Sequence, residues 1–252
     1  MTNSTRVVVP IDSQDPSAWA HALAYAEAIG GNRVPVVEDY ILLTHAKQQL
    51  KNTSLARHVG ASATKALLDN STIPLSSGGC MRHETLQTLR GMGRGAVFIA
   101  YYADENMLET LDGITGVAGI VAVPDLPGDV AGWIKRWNPL VHGQQQASAP
   151  LPLITDPVVE KALTALSGSV NLSHAMLNPR DKGHADETLR ILRAKGHTLD
   201  PAAIKSWAIR EGWKPGAADE LAKLAGRIGS LKTKPGLTAF HDPQGKYARW
   251  ST

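Results

Sequence analysis

The chain has 252 residues, of which 43% are hydrophobic and 19% are charged, and these ordinary globular proportions exclude wholesale disorder. Cys80 is the one cysteine, which excludes an internal disulfide. The sequence has no run of about 18 apolar residues and begins without the pattern of a signal peptide. We therefore expect no transmembrane helix, no membrane partner and a cytoplasmic protein.

The formal net charge of +3 is distributed unevenly. Residues 151–252 hold 15 Lys and Arg against 10 Asp and Glu, a balance of +5, whereas residues 1–150 hold 11 against 13, a balance of −2. A basic half favours an acidic partner, of which nucleic acid is the commonest. The alternative is that the charge serves only solubility.

Apolar runs and amphipathic segments alternate along the first half. Residues 6–11 (RVVVPI) predict a buried strand, and residues 15–29 predict a helix that begins at Asp15 and Pro16 and ends at Gly30. Further strands are predicted within residues 34–43 and over 72–75, 96–102 and 117–123, with helices over 62–68, 83–92, 105–111 and 130–137. This alternation predicts a Rossmann- or flavodoxin-like α/β domain with a parallel sheet over residues 1–140.

A linker and a small helical domain are predicted to follow. Residues 138–152 (NPLVHGQQQASAPLP) combine three glutamines, small residues and three prolines, and we place the linker at 141–152. Helices are predicted over residues 157–167, 184–195, 200–210 and 217–228. These helices predict an all-α domain over residues 153–229, with a helix-turn-helix-like pair at its end and a basic, partly ordered tail over 230–252.

The first candidate ligand site follows the first strand. Pro10 and Asp12 end that strand, a polar loop holds Ser13 and Ser17, and an Ala-rich helix comes next. Residues 6–30 thereby resemble the opening of the universal stress proteins. The resemblance implies an adenine-nucleotide ligand, with Asp12 as the counterpart of the acidic residue that contacts the base. The alternative is that Asp12 only caps a loop.

The phosphate-binding glycine motif of that family is missing from this sequence. Residues 124–128 read PDLPG after the strand at 117–123, and Pro124 and Pro127 lack the backbone N–H groups that a phosphate needs. Ligands of open parallel sheets bind beyond the carboxyl ends of the strands. This rule indicates Asp12, Ser13, His45, Asp125 and the segments 76–80 and 102–105.

The second candidate ligand site is a glycine-rich segment between the strand at 72–75 and the helix at 83–92. Its glycines would let backbone amides approach an anion at a helix N-terminus. The expected ligand-binding residues are Ser76, Ser77, Gly78 and Gly79. Cys80 follows, with Arg82 and His83 nearby, in a setting that favours a nucleophilic thiol, although a structural cysteine is the alternative.

A metal site is not predicted. His174, His184 and Asp186 lie close together in the sequence, but their spacing matches no zinc pattern. We interpret them as residues of a surface loop and a helix terminus.

The helix pair over residues 200–229 suggests a nucleic-acid interface. Ile204, Trp207 and Ala208, followed by a basic residue and Gly212, resemble the first helix of the DNA-binding module of actinobacterial histone-like silencers. That resemblance implies contact with nucleic acid. The interface residues expected are Lys205, Trp207, Arg210, Lys214, Lys223 and Arg227. The alternatives are a protein-docking module and a plain packing module.

The sequence favours a non-catalytic binding or regulatory protein whose helical half, residues 153–252, contacts nucleic acid or a protein partner. One alternative is a nucleotide-binding protein similar to the universal stress proteins, with an adenine nucleotide as cofactor. Another is an enzyme that uses the loop from Ser76 to Cys80. The sequence leaves open whether the chain forms a homo-oligomer.

Overall fold

The computed structural model describes residues 4–89, 92–126, 128–146 and 150–252. The chain divides into two compact units, Met1–Pro150 and Leu151–Thr252. The first is an α/β unit and the second is helical, which confirms the predicted fold class. Parts of three predicted segments lie outside the described residues: Arg90 and Gly91 of the predicted helix at 83–92, Pro127 of the proline loop, and residues 147–149 of the linker.

The α/β unit contains seven strands and six helices among its described residues. The strands are β1 (Thr5–Val8), β2 (Asp39–Thr44), β3 (Ile73–Pro74), β4 (Cys80–Thr85), β5 (Val97–Ala103), β6 (Gly119–Pro124) and β7 (Leu140–Val141). The helices are α1 (Pro16–Gly31), α2 (Lys47–Asn52), α3 (Ser54–Val59), α4 (Ala61–Leu68), α5 (Glu105–Asp112) and α6 (Ala131–Trp137). The strands lie in one sheet in the order β3-β4-β2-β5-β6-β1-β7, and all pairs are parallel except β3 with β4.

Alternating side chains of the central strands build two apolar cores, one on each face of the sheet. On one face Leu42, Ile99 and Val121 pack with residues of α1, α2, α3 and α4. On the other face Ile41 and Phe98 pack with residues of α5 and α6. This burial on both faces explains why β5 and β6 read as continuous apolar runs rather than as alternating ones.

The largest error of the sequence prediction is the helix at 83–92. Residues 80–85 instead form β4, which pairs along its whole length with β2. The burial of β4 alternates, with Met81, His83 and Thr85 inward and Cys80 outward. This period of two is the signature of a strand with one face covered, and the polar residues His83 and Thr85 at its buried positions hid it. Two short helices, α2 and α3, were also missed.

A buried charged cluster joins β1, α5 and α6. Asp112 has a fully buried side chain and accepts hydrogen bonds from Arg6 Nη2 at 3.4 Å, Arg136 Nη1 at 3.3 Å and Trp137 Nε1 at 2.9 Å. The Arg6 guanidinium also lies 3.5 Å from the centre of the Trp137 ring. Because each charge has an opposite partner, removal of one carboxylate leaves buried charge without compensation.

The second unit consists of five helices. They are α7 (Pro157–Ser167), α8 (Pro179–Ala194), α9 (Pro201–Arg210), α10 (Pro215–Gly229) and α11 (Pro243–Ser251). Each begins with proline, whose fixed φ and missing N–H suit the first turn of a helix. The helix α11 lies in the segment for which a partly ordered tail is predicted, and it packs on α7 and α8.

Two tryptophans hold the core of the helical unit. Trp207 on α9 is 1% exposed and Trp213 in the α9–α10 turn is 2% exposed. The Trp213 indole Nε1 donates a hydrogen bond to Ser167 Oγ at 2.7 Å, which ties the turn to the end of α7. Ile204 on α9 and Leu221 on α10 are fully buried as well.

A hydrogen-bonded chain of Asp156, His197 and Tyr247 joins three segments of the helical unit. Asp156 caps α7 by accepting from two backbone amides, and its second oxygen lies 2.6 Å from His197 Nδ1. His197 Nε2 lies 3.0 Å from the Tyr247 hydroxyl of α11. Partial burial raises the pKa of the Asp156 carboxyl, but hydrogen bonds from His197 and the two amides outweigh it, so this pKa lies below its ordinary value.

In the part of the chain that the structure describes, no helix is both long enough and apolar enough to cross a membrane.

We expect Asp112→Ala to lower the free energy of unfolding by about 3 kcal/mol, because it removes the carboxylate that pairs with the buried Arg6 and one of the three that pair with Arg136. Urea denaturation at neutral pH measures the change. The control Asp69→Ala removes an exposed carboxylate, and its effect should stay within about 0.5 kcal/mol. Equal effects of the two substitutions would contradict the role of the cluster.

Asp156→Ala should destabilise the chain more than the matched substitution Asp200→Ala. Both residues cap a helix through two backbone amides, worth about 1 kcal/mol, but Asp156 also binds His197. Since the folded pKa of Asp156 is lowered, its stabilisation is present above the unfolded value of about 3.9 and is lost as the pH falls through the folded pKa. Urea denaturation of both variants between neutral pH and about pH 3 tests this. If the loss of unfolding free energy in Asp156→Ala is as large in acid as at neutral pH, the explanation is wrong.

Candidate functional site

The candidate site lies beyond the carboxyl ends of β1 and β6, which are neighbours in the sheet. The chain leaves β1 through Pro10, Ile11 and Asp12, and it leaves β6 through Pro124 and Asp125. These residues, with Leu126, line a cavity of about 190 Å³. The position is the one at which open parallel sheets bind their ligands.

Ser13 connects the two loops of this cavity. Its side chain is 2% exposed, and its Oγ donates to Asp125 Oδ1 at 3.1 Å. Its carbonyl accepts from the Tyr101 hydroxyl at 2.9 Å and from Ser54 Oγ at 3.4 Å. Burial raises the pKa of Tyr101, so its hydroxyl remains protonated and able to donate. The β1 loop is therefore held rigidly over the sheet edge.

Two carboxylates give the cavity its charge. Asp12 and Asp125 are both exposed and carry the only ionisable side chains among the described residues that line it. Asp12 Oδ1 accepts a hydrogen bond from the Gln14 amide at 2.8 Å. The other carboxylate oxygen of Asp12 accepts no hydrogen bond from the described residues. The site offers hydrogen-bond acceptors and negative charge, so it suits N–H or O–H donors and disfavours phosphate.

The same edge continues to the ends of β2 and β5. His45 Nε2 lies 3.0 Å from the Tyr102 carbonyl and 3.7 Å from Asp104 Oδ2. Tyr102 has a left-handed backbone with φ of 61°, at the irregularity where β5 ends, and its hydroxyl donates to Thr53 Oγ1 at 2.6 Å. A non-glycine residue in this conformation is uncommon and must be held by its surroundings.

His83 contributes no positive charge to this edge. Its Nε2 lies 2.9 Å from Thr44 Oγ1. Burial lowers the pKa of His83 to about 4, against smaller effects of Glu84, which raises it, and Lys47, which lowers it. The ring is therefore neutral near pH 7.

The structure brings together part of the predicted site. Asp12, Ser13, His45, Asp125 and the segment 102–105 all lie at the carboxyl edge of the sheet, as predicted. Tyr101, Thr53 and Ser54 were missed, since Tyr101 reads only as part of an apolar strand and the other two belong to the unpredicted junction of α2 and α3. The one signal for that junction was Thr53, a natural N-cap residue.

The glycine-rich segment is the main correction to the predicted site. Ser76, Ser77, Gly78 and Gly79 join antiparallel β3 to β4 at the amino end of β4, which is the opposite edge of the sheet from Asp12. No helix follows the turn, so the expected helix N-terminus does not exist.

A carboxylate does occupy this turn, but it belongs to the chain itself. Glu27 Oε1 accepts from Ser76 Oγ at 2.7 Å and from the Ser77 amide at 3.2 Å. Gly79 has no room for a side chain because a Cβ there would lie 2.5 Å from the buried Tyr40 ring. The serines and glycines therefore pack α1 against the hairpin, and this structural role explains their composition.

The proposed nucleic-acid residues differ widely in exposure and pairing. Trp207 is buried, so its ring cannot reach a partner. Lys205 and Lys223 pair with Asp219 at 3.5 and 2.6 Å, and these contacts, the hydrogen bond from Lys223 first, lower the pKa of Asp219.

The remaining cations of that set are also engaged within the unit. Arg227 lies 3.6 Å from Asp186, and Arg210 donates to the Leu151 carbonyl at 3.3 Å. Lys214 precedes α10 and has a contact of its own. Carboxylates and carbonyls of the unit thus engage many of the cations of this helix pair and reduce its positive charge, although exposed ion pairs of this kind are weak.

The described residues contain no group of three or more His, Cys, Asp or Glu side chains arranged to hold a metal ion. Asp186 pairs with Arg190 at 2.6 Å and with Arg227, which accounts for its carboxylate. His174 lies 3.3 Å from Asn171 in the loop before α8, and His184 lies on α8.

A protein family described as "Domain of unknown function (DUF1889)" has a profile that matches residues 155–251 of this chain. The matched segment contains all five helices of the second unit. No curated protein and no solved structure matches the chain. The helical unit is therefore similar to a family of unassigned function, and the α/β unit is described by its geometry alone.

We expect Cys80 to react rapidly in the native chain, because it lies exposed at the start of β4 and not at a buried helix terminus. A native chain treated with Ellman's reagent should release one thionitrobenzoate per chain, and Cys80→Ser should release none. If the thiol reacts only after unfolding in guanidinium chloride, the placement of β4 is wrong.

Proposed function

We propose that this chain is a non-catalytic binding protein whose α/β unit binds a nucleoside base at the cavity between the β1 and β6 loops. The observation that carries the proposal is the pair of carboxylates, Asp12 and Asp125, in a cavity at the carboxyl edge of a parallel sheet. The resemblance of residues 6–30 to the universal stress proteins points to the same position, with Asp12 against the base.

The size of the cavity favours a single heterocycle. Its volume of about 190 Å³ lies below the ~300–1,000 Å³ of pockets that enclose drug-sized ligands. A cavity of roughly 150 Å³ admits benzene. A purine or pyrimidine therefore fits between Pro10 and Leu126, with its sugar outside.

The charge of the cavity selects the ligand further. Carboxylates accept from the exocyclic amine and ring N–H groups of a base, whereas they repel the phosphates of a nucleotide. No lysine or arginine is among the described residues that line the cavity. We therefore infer that the base supplies the affinity and that phosphates add nothing to it, which narrows the adenine-nucleotide prediction to a nucleoside.

The roles predicted for other regions stand differently. Contact of the helical half with nucleic acid or with a protein partner stays a prediction, and the internal pairing of Lys205, Lys223 and Arg227 weakens its electrostatic basis. An enzyme that uses the loop from Ser76 to Cys80 loses its physical basis, because that loop binds Glu27 and precedes a strand.

Calorimetric titration of the full chain with adenosine, AMP and ATP tests the proposal. We expect adenosine to bind at least as tightly as ATP, and Asp12→Asn to weaken adenosine by about tenfold through loss of a charge-assisted hydrogen bond. Asp125→Asn keeps an acceptor for Ser13 but removes repulsion, so it should improve ATP binding relative to adenosine.

The control is Asp69→Asn, which removes an exposed carboxylate outside the cavity and should leave adenosine binding unchanged. Absence of binding at millimolar adenosine, or adenosine binding that Asp12→Asn leaves unaltered, would reject the proposal. Tighter binding of ATP than of adenosine by the unmodified chain would instead indicate a phosphate-binding site elsewhere. It would reject the inference that the two carboxylates favour a nucleoside over a nucleotide.

A further inference from the structure

The helical unit contains a cavity that is independent of the α/β site. It lies between α7, α8 and α11 and has a volume of about 240 Å³. Leu166 from α7, His184 from α8 and Trp250 from α11 are among the residues that line it. The cavity falls within the segment that matches the family of unassigned function.

The apolar part of the cavity wall is provided by residues that are themselves firmly packed. Leu166 is 3% exposed and Trp250 is 7% exposed, so each presents only a small edge. Since a cavity of roughly 150 Å³ admits benzene, a volume of about 240 Å³ holds one ring and a small polar substituent.

The charged residues of the cavity leave one positive charge in excess. Lys246 and Arg249 are the two permanent cations on its wall, and Glu187 is the one carboxylate. Lys246 Nζ lies 2.7 Å from Glu187 Oε1, so these two charges offset each other. Among the described residues, the Arg249 guanidinium forms an ion pair with Asp242 alone, at 3.8 Å, and its side chain is 65% exposed. A guanidinium held this loosely is available to a ligand.

We propose that this cavity binds a small organic monoanion, in which a carboxylate pairs with Arg249 while a single ring packs against Trp250 and Leu166. The guanidinium fork matches the two oxygens of a carboxylate. A phosphate ester carries about 1.5 to 2 negative charges at pH 7, more than the single excess positive charge can balance.

Arg249, Trp250 and Ala165 also border a second cavity of about 520 Å³, which opens beside the first. Ala165 forms part of both walls and is exposed on α7, where leucine is a good helix former. Ala165→Leu therefore narrows the proposed site without disturbing the helical core.

Saturation-transfer NMR of the full chain tests the proposal with benzoate as the probe, and benzamide and benzylamine as its neutral and cationic counterparts. We expect saturable benzoate binding, weaker binding of benzamide and none of benzylamine. Arg249→Gln and Ala165→Leu should each weaken benzoate by about tenfold or more. Arg180→Gln removes an equal charge from the exposed start of α8, away from the cavity wall, and should leave the affinity unchanged.

Three results would overturn the proposal. They are the absence of saturable benzoate binding, equal binding of benzoate and benzamide, and an affinity that Arg249→Gln and Arg180→Gln reduce equally. The last would indicate a general attraction of the basic unit for anions. Because the probe carries no base and the variants lie outside the α/β unit, these outcomes are separate from those of the adenosine titration.

Discussion

Burial of the central strands on both faces is the constraint on which the α/β unit depends. β5 and β6 are buried at every position, and the odd and even side chains of the sheet belong to two different cores. A parallel sheet of this kind is stable only if helices cover both faces. The helices α1 to α4 cover one face and α5 and α6 the other, and the connections between them place every βα loop of the parallel strands at one edge.

That edge concentrates the polar chemistry of the unit. Ser13 is held by Tyr101 from below and by Asp125 from the neighbouring loop, while the left-handed backbone of Tyr102 leads the chain out of β5 beside His45. The opposite edge holds the Ser76–Gly79 turn, in which Ser76 and Ser77 donate hydrogen bonds to Glu27 and Gly79 makes room for the Tyr40 ring. The two edges therefore differ: at one, Asp12 and Asp125 are exposed and form no ion pair among the described residues, whereas at the other the polar groups of the turn bind Glu27.

The helical unit combines a buried apolar core with helices that are capped at their starts. Each begins with a proline, and Asp156, Asn178, Asp200 and Asp242 each accept hydrogen bonds from amides of the first turn. Asp156 also reaches His197, and through it Tyr247, so that a cap and a tertiary contact share one carboxylate. Where α7, α8 and α11 meet, the packing leaves a cavity with one excess positive charge, which gives this unit a chemistry of opposite sign to that of the α/β edge.

The sequence by itself determined the fold class, the strands rich in β-branched residues, three of the helices that begin at Asp-Pro pairs (α1, α7 and α9), and Asp12 and Ser13 as residues of the carboxyl edge. These features depend on local patterns, in which capping, periodicity and burial are legible within about ten residues. Only the tertiary structure decided that residues 80–85 form a strand, that Glu27 fills the Ser76–Gly79 turn, that Asp125 meets Ser13, and that α11 closes a cavity on α7 and α8. Each of these results depends on residues far apart in the chain. A local sequence pattern does not show which distant side chain will form a hydrogen bond with a polar group or line a cavity.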